Sequence, residues 1–230
     1  TAFMLATVEN AQQAETLLAA MVESNTTPTA IELLAGSAWA DDAVVGPMLS
    51  GNSGQFAAVA VGLEGTAKEV QWMIDTLGRE WQDQGVSNYT AILDDDARQL
   101  WKSLAEFPQL DESPLVIKAT MTPGNVAEFV TAARSIDPQC SIQAHAGNGI
   151  VIVRFAEFPA DGLSRTLVQK LVPAASRGHG NVVVLSNPSG AEMTHQSVWG
   201  GIGAPFGLMS EIKRQFDPDN ILNPGRFVYV

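Results

Sequence analysis

A single cysteine, Cys140, is the only thiol in 230 residues. That excludes an intrachain disulfide and any cysteine-rich metal centre, and it fits a reducing compartment. Basic residues are scarce as well: 13 Lys and Arg stand against 25 Asp and Glu, a formal net charge of −12. A surface of that sign repels polyanions, so nucleic acid and anionic lipid are not expected as partners. Long apolar runs are missing. The stretch FAAVAVGL (56–63) falls far short of the ~20 residues a membrane helix needs, so the chain is not expected to be transmembrane. A basic leader with a long apolar centre is missing too, and no signal peptide is expected. The chain opens at Thr1 on a strand-like segment without an initiating methionine, the opening expected of a part of something longer.

What is present is ordinary for a folded protein. Hydrophobic residues make up 46% and charged residues 17%, which argues against disorder. The length supports one large domain or two small subdomains.

Periodicity gives the order of elements. FMLAT (3–7), TAIELLA (29–35), QFAAVAVGL (55–63) and NYTAIL (88–93) read as strands. Ala11, Ala14, Leu17, Leu18, Met21 and Val22 recur at helical spacing, as do Ala67, Val70, Met73, Ile74, Leu77 and Trp81. The order is β-α-β-β-α-β over 1–93. A connecting stretch, 94–114, carries a helix expected from about 95 to 107.

The order then repeats over 115–186. LVIKATM (115–121) is a strand, and Thr122 with Pro123 starts a helix lined by Val126, Phe129, Val130 and Ala133. SIQAHA (141–146) and IVIVRF (150–155) flank the hairpin signal Gly147-Asn148-Gly149. Leu163, Leu167, Val168, Leu171 and Val172 form another helical face, and NVVVLS (181–186) closes the unit. Two such units predict an α+β fold of ferredoxin-like repeats, antiparallel sheet with helices mainly on one face. The other face is left for a partner, a ligand or water.

The last segment, 187–230, is a long loop, a helix and a tail. Met209, Ile212 and Phe216 give the helix one apolar face. Pro218 stops it, Asp217-Pro218-Asp219-Asn220 turns, and Asn223-Pro224-Gly225 turns again before Arg226. Chain ends are loose unless tied down, and this one has the residues to be tied down.

Residues able to carry chemistry are few. His145 ends a strand beside a glycine turn, where a side chain reaches a cleft; a half-buried hairpin histidine is the plain alternative. The following Ile150–Val153 offers no second metal ligand, so no metal is expected. His179 and His195 lie in loops. Cys140 has no neighbouring base or Cys-x-x-Cys partner, so it is not expected to act as a nucleophile. Asp94-Asp95-Asp96 suits a helix start, and SGNSG (50–54) suits a turn, since it lacks the lysine of a phosphate loop.

Four stretches together resemble the C-terminal domain of FAD-linked oxidases, and within that family most closely the FAD-binding subunit of bacterial glycolate oxidase. They are VGLEGTAKEVQWMIDTLGREW (61–81), AHAGNGIVIVRF (144–155), VWGG (198–201) and MSEIKRQFDPDNILNPGRF (209–227). The resemblance implies a cap domain that covers a flavin and forms the substrate side of its pocket. FAD would be held mainly by an N-terminal domain that these residues do not encode. A small 2-hydroxy acid such as glycolate would be the substrate. Other glycolate oxidase-like subunits, including an iron–sulfur subunit, would be partners, in the cytoplasm or peripheral to the inner membrane.

The resemblance also assigns residues. His145 would line the pocket as a polar or basic group with Asn148 beside it; an acidic protein also needs a local cation for an acidic substrate, and Arg154 would bind its carboxylate, with a surface arginine as the plain alternative. Asn223, Pro224, Gly225 and Arg226 would dock the tail on the FAD domain. One departure stands out. Relatives that oxidise hydroxy acids alone have aspartate where Asn148 stands and a second histidine where the strand Ile150–Val153 runs. A non-catalytic assembly module of a heteromeric dehydrogenase is therefore a second reading, and a ferredoxin-like small-ligand module a third, for which only the fold argues.

Overall fold

In the computed structural model, which describes residues 1–50, 55–109, 113–194, 199–200 and 206–224, the chain starts β1 (Ala2–Val8), α1 (Ala11–Ala20), β2 (Ala30–Ala35), α2 (Ser37–Ala40), α3 (Gly46–Ser50), β3 (Ala57–Leu63), α4 (Ala67–Asp83), β4 (Tyr89–Leu93). It continues α5 (Asp94–Glu106), β5 (Leu115–Thr120), α6 (Val126–Ile136), β6 (Ser141–His145), β7 (Ile150–Phe155), α7 (Leu163–Arg165), a π-helical turn (Thr166–Leu171), α8 (Val172–Arg177), β8 (Asn181–Ser186) and α9 (Phe206–Phe216). All eight strands join one antiparallel sheet in the order β4-β1-β3-β2-β6-β7-β5-β8. Followed inward from either edge, the order is the same: fourth, first, third and second strand of a β-α-β-β-α-β unit. The units meet through their second strands, where Glu32 pairs with His145 and Ala35 with Ile142. The α+β class and the doubled strand order match the sequence expectation.

Most of the helix packing lies on one face. Met4, Leu33, Val59, Val61, Ile117, Ile142, Val151 and Val153 point into a core shared with Leu17, Val70, Met73, Leu77, Trp81, Phe129 and Val130. The helices in that layer begin and orient through local chemistry. Asn10 accepts from the Gln13 amide at 2.9 Å to start α1. Thr66 and Glu69 form a reciprocal capping box at the start of α4. Pro123 opens a 3-10 turn, Pro123–Asn125, so α6 begins at Val126 and keeps the expected apolar face.

The opposite face is only half open, which narrows the expectation of an uncovered surface. Phe3, Leu5, Leu34, Ala58 and Ala60 are buried there beneath Trp39, Val45, Ala97, Leu100, Leu104 and Phe107. The connecting helix α5 and the short α2 and α3 supply this cover. It explains why β1 and β3 are buried along their whole length, reading as continuous apolar runs instead of alternating ones. Beyond the seam the cover continues over Val116 and Ile152 and then thins: Thr120 and Leu185 are exposed, and Lys118 and Val183 half-buried.

The seam is stitched by side chains. Ser141 Oγ accepts from the Ala38 amide at 2.9 Å, and Trp39 Nε1 donates to the Ile142 carbonyl at 2.9 Å. Gly36 (φ +95°) passes so close that a Cβ there would stand 2.1 Å from the Cys140 carbonyl oxygen, so only glycine fits.

Two expected helical faces differ. Val168 is exposed while Leu163, Leu167 and Leu171 are buried, because the π turn rotates the chain ahead of Pro173, which has no N–H to give the previous turn. In α9 the apolar stripe faces outward. Leu208, Ile212 and Phe216 are exposed whereas Ser210 and Lys213 are buried.

Candidate functional site

The sheet register gathers polar side chains that lie far apart in sequence. Successive residues of a strand point to opposite faces, so Glu32, Gln143, His145 and Lys118 share the second face. One row crosses the strands as Glu32, His145, Ile150 and Thr120, and the next as Leu34, Gln143, Ile152 and Lys118. Where α5 stops covering that face, a cleft of about 450 Å³ opens. Its walls include Glu32, Gln143, His145, Asn148, Trp101 and Leu104. That size suits a small ligand, and is too small for a whole dinucleotide.

The centre of the cleft is a carboxylate–imidazole pair. His145 Nδ1 and Glu32 Oε1 are 2.8 Å apart, with the imidazole 35% and the carboxylate 5% exposed. Gln143 Nε2 makes a long contact of 3.5 Å to Glu32 Oε2. The Glu32 hydrogen bond raises the His145 pKa above its ordinary value, opposed by burial and by Lys118. Burial raises the Glu32 carboxyl in turn, and the bond to His145 holds it back. The two directions have different causes, burial for Glu32 and the carboxylate hydrogen bond for His145. For His145 the raised value means that the stabilisation is complete below the unfolded histidine pKa and is lost as pH rises through the folded one. Two further wall atoms, Gln143 Oε1 and Trp101 Nε1, are buried without a hydrogen-bond partner among the described residues.

The hairpin turn beside His145 has one admissible residue. Gly149 has φ +67°, and a Cβ there would lie 1.8 Å from the Met121 carbonyl oxygen. Gly149→Ala is expected to cost at least about 1 kcal/mol from the left-handed backbone alone, plus the clash. A urea midpoint equal to that of the parent would contradict this account.

The structure brings His145 and Asn148 into the same cleft. Arg154 is elsewhere: its guanidinium lies 5.4 Å from the Phe107 ring centre and its Nε donates to Ser113 Oγ at 3.2 Å. Lys118, on the same face and two strands from His145, is the nearby cation that acts on the imidazole. His179 is exposed in its loop with φ +56°, and His195 lies outside the described residues. Cys140 is fully buried, and burial pushes its thiol up to about 12, so it is inert. Glu32, Gln143, Trp101 and Lys118 were not apparent as site residues from the sequence. The one available signal was a glutamate inside the apolar run AIELLA.

At the tail, Asn223 and Pro224 are described, while Gly225 and Arg226 lie outside the described residues. The first turn is built around a buried pair, Lys213 and Asp217. Lys213 Nζ also donates to the Leu222 carbonyl at 2.7 Å. Asp217 accepts from the Ile221 and Leu222 amides at 2.8 and 3.0 Å. The Lys213 ammonium holds the Asp217 carboxyl below its ordinary pKa, so this turn is firm above the unfolded carboxylate value and loosens as pH falls. Asn220 and Asn223 both take left-handed backbone angles (φ +50° and +49°), a conformation asparagine tolerates.

No curated protein matches the chain. A solved structure, the VAO-type flavoprotein MtVAO615 from Myceliophthora thermophila C1, aligns with 95% of this chain at 9% identity and a TM-score of 0.49. The chain spans 45% of that protein's length. Residues 203–227, a stretch that includes α9, match the family model described as FAD linked oxidases, C-terminal domain.

Proposed function

We propose that this chain is the substrate-side cap domain of an FAD-dependent oxidoreductase acting on a 2-hydroxy acid, in the manner of glycolate oxidase. The observation that carries the reading is the cleft in which His145 and Asn148 meet, joined to the family match over 203–227. His145 takes the proton of the substrate hydroxyl, and Lys118, on the same face of the sheet, supplies positive charge for the carboxylate. Bound FAD supplies the two-electron acceptor. Glu32, Gln143, His145 and Asn148 would line the substrate side of the pocket. The nucleotide belongs to an FAD-binding domain of the same polypeptide. An iron–sulfur partner subunit and a cytoplasmic or membrane-peripheral setting rest on the resemblance alone. Among the described residues no helix is long and apolar enough to cross a membrane.

The outward stripe of α9 is the docking face for that FAD domain. Phe216 is 75% and Ile221 73% exposed, a density of apolar surface that marks an interaction site. The same stripe favours the second reading, an assembly module. Both are tested with the flavin-loaded polypeptide. Glycolate-dependent dye reduction supports the oxidoreductase reading. Flavin that is reduced only after other subunits are added supports assembly. Phe216→Ser is expected to weaken domain association, read as faster flavin loss on dilution, without lowering the urea midpoint. Unchanged flavin retention would remove the docking role.

A further inference from the structure

We infer that Glu32 is a positioning residue that fixes His145 in one tautomer, with the Nδ1 proton committed to the carboxylate and Nε2 left as a proton acceptor toward the cleft. The inference rests on the reading of this cleft as the substrate side.

The geometry is specific. Glu32 and His145 are directly opposed on neighbouring strands, so the pair needs no loop to hold it. Nδ1 lies 2.8 Å from Glu32 Oε1, and because an ionised carboxylate only accepts, the proton of that bond is assigned to Nδ1. Among the described residues no hydrogen bond engages Nε2, and the imidazole stands partly open in the cleft wall. His145 (φ −72°, ψ 77°) leaves the strand directly into the tight turn Ala146–Asn148. The charged groups that face the imidazole are Glu32 on β2 and Lys118 on β5. Lys118 opposes protonation and Glu32 favours it, so the carboxylate is what lets the ring hold a proton after accepting one.

The step balances. The substrate O–H bond breaks and an N–H bond forms at Nε2. The two-electron acceptor for the hydrogen lost from carbon would be the bound flavin. The products are a carbonyl compound and a His145 imidazolium paired with Glu32. Carboxylate–histidine pairs of this kind fix tautomer and ring orientation in other proteins, and their loss there costs roughly 10–100-fold.

The test is a ¹⁵N titration of histidine-labelled protein. The parent is expected to show the Nδ1–H tautomer for His145. Glu32→Gln, which keeps shape and acceptor but loses charge, is expected to lower the His145 midpoint. Glu32→Leu is expected to release the tautomer preference. In the flavin-loaded protein, Glu32→Gln is expected to shift the acidic limb of the pH–rate profile downward while KM changes little. An Nε2–H tautomer in the parent, or a midpoint unmoved in Glu32→Gln, would overturn the inference even if Glu32→Leu fails to fold. If the imidazole obeys Glu32 but no 2-hydroxy acid is oxidised, the positioning role stands and the functional reading falls.

Discussion

Replacing His145 with alanine is expected to slow substrate oxidation by the flavin-loaded protein by roughly 10²–10⁴-fold, the usual worth of a positioned acid or base. The reason is local. Among the described residues of the cleft wall, His145 is the imidazole, the side chain suited to proton exchange, and the hydrogen bond to Glu32 raises its pKa. The side chain is partly exposed, so its removal leaves the core intact and the effect falls on kcat. Anaerobic flavin bleaching by substrate is the direct measurement. A loss of less than about tenfold would remove His145 from the chemistry and leave the assembly reading in possession of the cleft.

The largest expected loss of stability comes from Trp39→Ala, at about 3–5 kcal/mol for a buried tryptophan. Trp39 is 2% exposed and stacks on Phe107 at 5.0 Å between ring centres, 17° from parallel. Its Nε1 donates across the seam to the Ile142 carbonyl. One side chain therefore ties α2, the end of α5 and β6 together. Trp39→Phe keeps much of the apolar area and loses the hydrogen bond, so about 1 kcal/mol of the loss should appear there. Urea unfolding of both variants separates packing from hydrogen bonding. Equal losses for Ala and Phe would show that the bond across the seam dominates.

How much of this could be read from the chain depends on the distance over which the information acts. Strand and helix order was legible because runs such as AFMLATV and the Val70-Met73-Leu77-Trp81 stripe encode local periodicity. His145 and Asn148 were legible because a glycine turn next to a polar strand end is also local. Glu32 was not, since its meaning comes from a pairing with a residue 113 positions away. The cover supplied by α5 was hidden for a related reason. Its apolar face, Ala97, Leu100 and Leu104, shows that the helix packs somewhere, but not which side of the sheet receives it. The stripe on α9 gave the opposite difficulty: a helical apolar face reads the same in sequence whether its own domain buries it or leaves it bare.

The joining of β2 to β6 has a consequence for how the site could arise and fail. Glu32 is contributed by one repeat and His145 by the other, so neither repeat made separately would possess a working dyad. A slip of a single residue between the two would put Glu32 and His145 on opposite faces of the joined sheet and leave the carboxylate without its partner. Correct fusion of the repeats and competence of the dyad are thus one event, and the imidazole signal doubles as a reporter of whether the halves have married in the right phase.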